Sequence, residues 1–181
     1  MTQLDNVLYI VTEQSPIIQT LSVDTLSSLG NIHVRGMRDP SDICHHDRQL
    51  YVADYDFHNY KYNCIRRVSA DDHSHEKWLQ RESTDIFHFY SLSVTSRGLL
   101  VTSRRGLLGL REYSMTDRQL LRVFNPSWNM KYLFHGVETT RGTFVICHRG
   151  TSQNEQQDAV SCRHSYRQCS LRRLTFIISA K

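Results

Sequence analysis

The chain has 181 residues, 39% hydrophobic and 22% charged, which suits one domain with a sizeable core and excludes a disordered composition. Its formal charge of +4 is compatible with a nucleic-acid or acidic partner without demanding one, and its ten histidines add charge below about pH 6.5. No apolar run approaches the ~18 residues that span a bilayer, so no membrane partner is expected.

The N-terminus, MTQLDNVLYIVTEQS, lacks a basic start and carries Asp5 and Glu13 around a short apolar run, which makes a poor signal peptide. Five cysteines (Cys44, Cys64, Cys147, Cys162 and Cys169) are odd in number and irregular in spacing, against a disulfide framework. A reducing, cytoplasmic setting is the expectation.

The first β-prone segment, DNVLYIVTE at 5–13, returns as the second half of a longer unit. That unit occurs three times without gaps, as DICHHDRQLYVAD (42–54), SLSVTSRGLLVTS (91–103) and HGVETTRGTFVIC (135–147). Each pairs a short segment with a polar turn bearing Arg48, Arg97 or Arg141, then an apolar run. The run centres Tyr9, Tyr51, Leu100 and Phe144 lie 42, 49 and 44 residues apart. A second element keeps the same phase: IQTLS at 18–22, IRRVS at 65–69 and LREYS at 110–114. Each is followed by a polar turn (VDTLSS, ADDHSHE, MTDRQ) and one more β-leaning run (LGNIHV, KWL, QLLRVF). The unit is therefore four short strands in about 45 residues, and no stretch shows a capped helical period. Four-stranded antiparallel units at this period predict an all-β chain of β-propeller blades. Three units and the start of a fourth give an incomplete ring.

The pattern P-x-D-I at 40–43, LYVAD at 50–54 and IRRVS at 65–69 resembles NHL-type propeller repeats over residues 4 to about 150. The resemblance implies a six-bladed family that includes tripartite-motif-like proteins, in which such a domain selects targets for an attached ubiquitin ligase. The YWTD and lactonase-like propellers are alternatives. Two regions follow: blades over 1–150 and a divergent basic tail over 151–181, whose LTFIIS is β-prone but out of blade phase. A truncated frame or splice variant, with further blades as the missing partner, accounts for the break. A short protein whose tail caps the open edge is the alternative.

Several clusters look chemical. ADDHSHE at 70–76 offers metal-ligand types, yet in blade phase it is the hairpin between third and fourth strands, where Asp and Ser form turns. In Cys44-His45-His46-Asp47, adjacent strand residues point to opposite faces, against a nucleophile–base pair. Cys162, His164 and Cys169 with Cys147 and His148 match no familiar zinc spacing. One arginine per blade at 48, 97 and 141 would make an arc of positive charge, unless these are simply solvated turn residues.

The loops on the opposite face interleave aromatic and cationic residues. Tyr55, Phe57, Tyr60, Lys61, Arg104, Arg105, Trp128 and Lys131 are the expected contact residues there. Rings beside guanidinium and ammonium groups suit a protein partner or single-stranded RNA. Some of these aromatics are expected to fill blade seams instead. The expectation is a binding module without catalysis or cofactor, and with no RING-type array in the chain. The alternative from another class is a metal-dependent propeller hydrolase or lyase, with Asp42, His135 and Glu138 as the candidate channel ligands.

Overall fold

Short runs of β-branched, aromatic and leucine residues, separated by Asp-, Ser- and Gly-bearing turns, form fifteen strands and no helix among the described residues. The structure, a computed structural model, describes residues 1–56, 63–80, 85, 87–103, 109–125, 130–150 and 174–179, with backbone alone at 130–132, 149–150 and 174–179. With no helix, nothing among them is a helix long and apolar enough to cross a membrane.

The strands fall into four antiparallel sheets taken in chain order. The first holds β1 (Thr2–Leu4), β2 (Val7–Val11), β3 (Ile17–Ser22) and β4 (Ser28–His33). The second holds β5 (Pro40–His46), β6 (Gln49–Asp54), β7 (Cys64–Ser69) and β8 (His75–Gln80). The third holds β9 (Ser91–Val94), β10 (Leu99–Ser103), β11 (Gly109–Tyr113) and β12 (Leu120–Phe124). In the fourth, β13 (Met130–Glu138) and β14 (Thr143–Gly150) are joined by β15 (Leu174–Ser179), so LTFIIS supplies a third strand. The first strands of successive sheets lie side by side, while β4, β8 and β12 form the outer edges. Each sheet is a blade, and the ring is open.

Three apolar seams hold the blades together. Tyr9, Ile18 and Ile32 of the first blade meet Ile43, Leu50, Val52 and Val68 of the second. The other face of the second blade, with Cys44, Tyr51, Ile65 and Trp78, packs on Leu92, Leu99, Val101 and Tyr113 of the third. Leu100 and Leu110 then meet Leu133, Phe144 and Ile146 of the fourth. Strand alternation divides the residues: Leu50 and Val52 face back, Tyr51 faces forward. At the third seam Gly136 lies so close that a Cβ there would press on Leu110 and Leu100.

The repeat register holds in three blades and slips in the fourth. Tyr51 pairs with Cys44 and Leu100 with Ser93, but Phe144 pairs with Glu138 where the alignment expects Val137. The cause is the turn. In the third blade Thr95 N–H donates to Gly98 O at 2.9 Å across two residues, whereas Thr139 N–H donates to Thr143 O at 2.7 Å across three. The extra residue is accommodated by Gly142 at φ 71°, a left-handed conformation that glycine adopts freely. A slip of one residue exchanges the two faces, so Phe144 points back at the third blade. Its ring lies 4.7 Å from that of Phe124.

Candidate functional site

On the hairpin side, the third-to-fourth-strand turn is one motif used three times. Leu26, His73 and Arg118 take positive φ, and Ser22, Ser69 and Ser114 receive the same amide bonds from them at 2.9, 3.1 and 3.0 Å. ADDHSHE is thus the hairpin that its phase requires. Asp72 accepts from Ser74 N and Oγ at 3.0 and 2.8 Å, and bonds from the Ser69 and Ser74 hydroxyls pull its carboxyl down to about 2. His75 Nε2 accepts the Arg35 amide at 3.0 Å, tying the hairpin to the connector between blades one and two. No group of three His, Cys, Asp or Glu side chains among the described residues is placed to hold a metal. Arg48 is not a free charge: Nε meets Asp71 at 2.5 Å and Nη1 meets Asp5 of the first blade at 2.9 Å. It joins two blades and leaves the arc of positive charge incomplete.

Cys44 is buried in the second seam, while His45 points the other way to Thr2 Oγ1 at 2.8 Å. Burial, then the Asp42 charge, pushes the Cys44 thiol well above the ordinary range. The neighbours do not form a nucleophile–base pair. Of the tail group, Cys147 is described as a free thiol and Cys162, His164 and Cys169 lie outside the described residues.

The other face carries the connectors. A buried ion pair organises it: Arg66 Nε donates to Asp54 Oδ2 at 2.7 Å, with side chains 5% and 0% exposed. Asp54 Oδ1 accepts the Arg38 and Asp39 amides at 3.0 and 2.9 Å, and Arg66 also donates to Arg35 O at 3.2 Å and to Gly36 O. The carboxylate and guanidinium therefore hold the 34–39 connector to the strand end. Arg111, in the same repeat position as Arg66, does likewise in the third blade, where it binds Asp85 and lies 4.2 Å over the Phe87 ring. Arg38 reaches Asp56 at 3.3 Å, which draws the two loop classes together as the blade phase expects.

Of the expected contact residues, Phe57, Tyr60, Lys61, Arg104, Arg105 and Trp128 lie outside the described residues, and Lys131 is described on β13 by its backbone alone. Tyr55 differs from the expectation of an open contact residue. It is 8% exposed and packs edge-on against His88 and Tyr90, 5.3 and 6.4 Å between ring centres, as a seam aromatic.

At the inner strands a polar chain crosses three blades. Asp42, Ser91 and His135 each open their repeat unit, so they hold one structural position in blades two, three and four. Ser91 Oγ lies 2.7 Å from Asp42 Oδ2 and 2.5 Å from His135 Nδ1, and the Leu92 amide also donates to Asp42 Oδ2 at 2.9 Å. Burial alone would raise the Asp42 carboxyl; the bonds from His135, Leu92 and Ser91 outweigh it and leave it below the ordinary range. Glu138 does not join them but accepts the Ser96 amide at 2.6 Å. Two of the three proposed channel ligands therefore converge, through a serine that residue type alone did not mark.

This is not the order of a serine-nucleophile triad, in which the imidazole stands between hydroxyl and carboxylate. If the single hydroxyl proton goes to the ionised Asp42, Ser91 Oγ is left to accept from His135 Nδ1–H. Because the folded Asp42 carboxyl is depressed, its contribution is present above the ordinary carboxylate range and lost as pH falls through the folded value. Acid unfolding of the chain is expected to begin below about pH 4. Asp42→Asn, followed by circular dichroism, should flatten that acid limb while lowering stability at neutral pH.

No protein-family model and no curated protein sequence matches the chain. Among solved structures it is similar to the Kuenenia stuttgartiensis hydrazine synthase, at 13% identity and TM-score 0.62 over 82% of this chain and 42% of that one. It is similar to the Neurospora crassa Pan2 WD40 domain at 12% identity and TM-score 0.59, over 83% and 42% of the two chains. The computationally designed Ika4 protein matches at 10% identity and TM-score 0.56, over 83% of this chain and 84% of its own. The chain thus spans under half the length of the first two and nearly the length of the third. With three four-stranded blades, a fourth of three described strands and an open ring, the chain is an incomplete β-propeller.

Proposed function

We propose that this arc is a non-catalytic binding module of the NHL type, which holds a protein partner on its connector face. The observation that carries this reading is the buried Asp54–Arg66 pair, which fixes connector backbone to blade ends. It gives variable loops a rigid base, the arrangement by which propellers and other scaffolds present recognition surfaces. The residues of the NHL resemblance fall on β5, β6 and β7 of the second blade. The inner Ser91 hydroxyl is occupied by Asp42 and the Cys44 thiol is buried, which favours binding over chemistry. In the cytoplasm such a module would serve as the target-selecting part of a larger ubiquitin-ligase-associated assembly.

The test is selection of peptides on the immobilised chain, followed by affinity measurements on loop and hairpin variants. Arg104→Ala with Trp128→Ala is expected to weaken a selected peptide at least about tenfold. His73→Ala, on the hairpin side, should leave it unchanged. The opposite ranking would refute the assignment of face. Binding of a single-stranded RNA in place of peptide, falling steeply with salt, would move the partner to nucleic acid.

A further inference from the structure

The first blade turns a blade-receiving face outward. In the second blade, Leu50, Val52 and Val68 receive the blade before it, and Leu99, Val101 and Tyr113 do so in the third. The same repeat positions in the first blade are Leu8, Ile10 and Leu21. Leu8 pairs with Leu21, and both alternate with Tyr9, Thr20 and Ser22 on the seam side, so they share the outward face. Among the described residues no apolar cluster includes them, and they are half-buried rather than buried like their counterparts. An apolar sheet face of this kind is normally covered.

The fourth blade ends the arc with the converse. Its register slip turns Phe144 inward, and Val137 and Val145, which pair with each other, face away from the third blade. Val137 is 41% exposed.

We infer that a second copy of this chain docks its fourth blade on the Leu8–Ile10–Leu21 face, and that the two arcs close one ring. The interface would continue the three seams already present, using repeat positions that make blade contacts elsewhere in the same molecule. Each copy has one receiving and one donating end, so a twofold axis satisfies both at once. Two arcs of four blades give eight, within the usual range for propellers. This proposal is independent of which partner the connector face holds.

Sedimentation velocity on the unmodified chain tests it. A species of twice the 21.2 kDa chain mass is expected at micromolar concentration. Ile10→Glu should give the single-chain mass with its strand circular dichroism retained, and the milder Leu21→Ser should weaken association at least about tenfold. Val123→Glu, on the outer strand of the third blade at 50% exposure, should leave the dimer intact. A monomeric unmodified chain or an open-ended polymer overturns the proposal. So does a dimer that Val123→Glu dissociates and Leu21→Ser does not.

Discussion

Asp54→Ala is expected to destabilise the chain by about 3–5 kcal/mol, read as a lower midpoint in chemical denaturation at neutral pH. The substitution removes a carboxylate that is 0% exposed and leaves Arg66, 5% exposed, without its counter-charge. It also frees the Arg38 and Asp39 amides that anchor the connector. The size of the effect comes from the stranded charge more than from the lost attraction, because a buried ion repays its desolvation only when paired. Asp54→Leu combined with Arg66→Met should therefore cost less than Asp54→Ala alone. A double variant at least as damaged as the single one would show that the connector bonds, and not the buried charge, dominate.

Trp78→Ala is expected to cost about 3–5 kcal/mol by the same measurement. Trp78 is 1% exposed, stands on the outer strand β8 and fills the seam between the second and third blades. Its ring meets Tyr51 edge-on, with centres 5.3 Å apart and planes at 84°. Truncation opens a large cavity between two sheets whose strands are each fixed by their own ladders and cannot collapse into it. Trp78→Phe, which keeps most of the apolar volume, should recover much of the loss.

The blade was legible in the sequence because each unit carries its own turn chemistry. Ser22, Ser69 and Ser114 and the residues four positions after them build the same hairpin, so phase alone identified ADDHSHE. The anchors Tyr9, Tyr51 and Leu100 all face the following blade as their shared position requires. Phase did not reveal the face of Phe144, since TTRGT and TSRGL are equally long and differ only in how many residues the turn consumes. Nor did it reveal the Asp54–Arg66 pair. These residues are 12 apart in sequence and meet diagonally across β6 and β7, which only the pairing register shows. At the inner strands Asp42 and His135 stood out by type. Ser91 carried no such mark, although its shared repeat position is visible once the units are aligned.

The proposed binding role is most directly tested at the inner Asp42–Ser91–His135 chain, where chemistry would most readily reside. Nitrogen-15 NMR of the His135 ring at neutral pH decides how that chain is polarised. If Ser91 donates to Asp42 at 2.7 Å, then His135 must be in a form that carries on Nδ1 the proton it shares with Ser91 at 2.5 Å. That form is the predicted result. A bare Nδ1 accepting from Ser91 would instead make serine and imidazole a nucleophile–base pair, and would contradict a purely binding role.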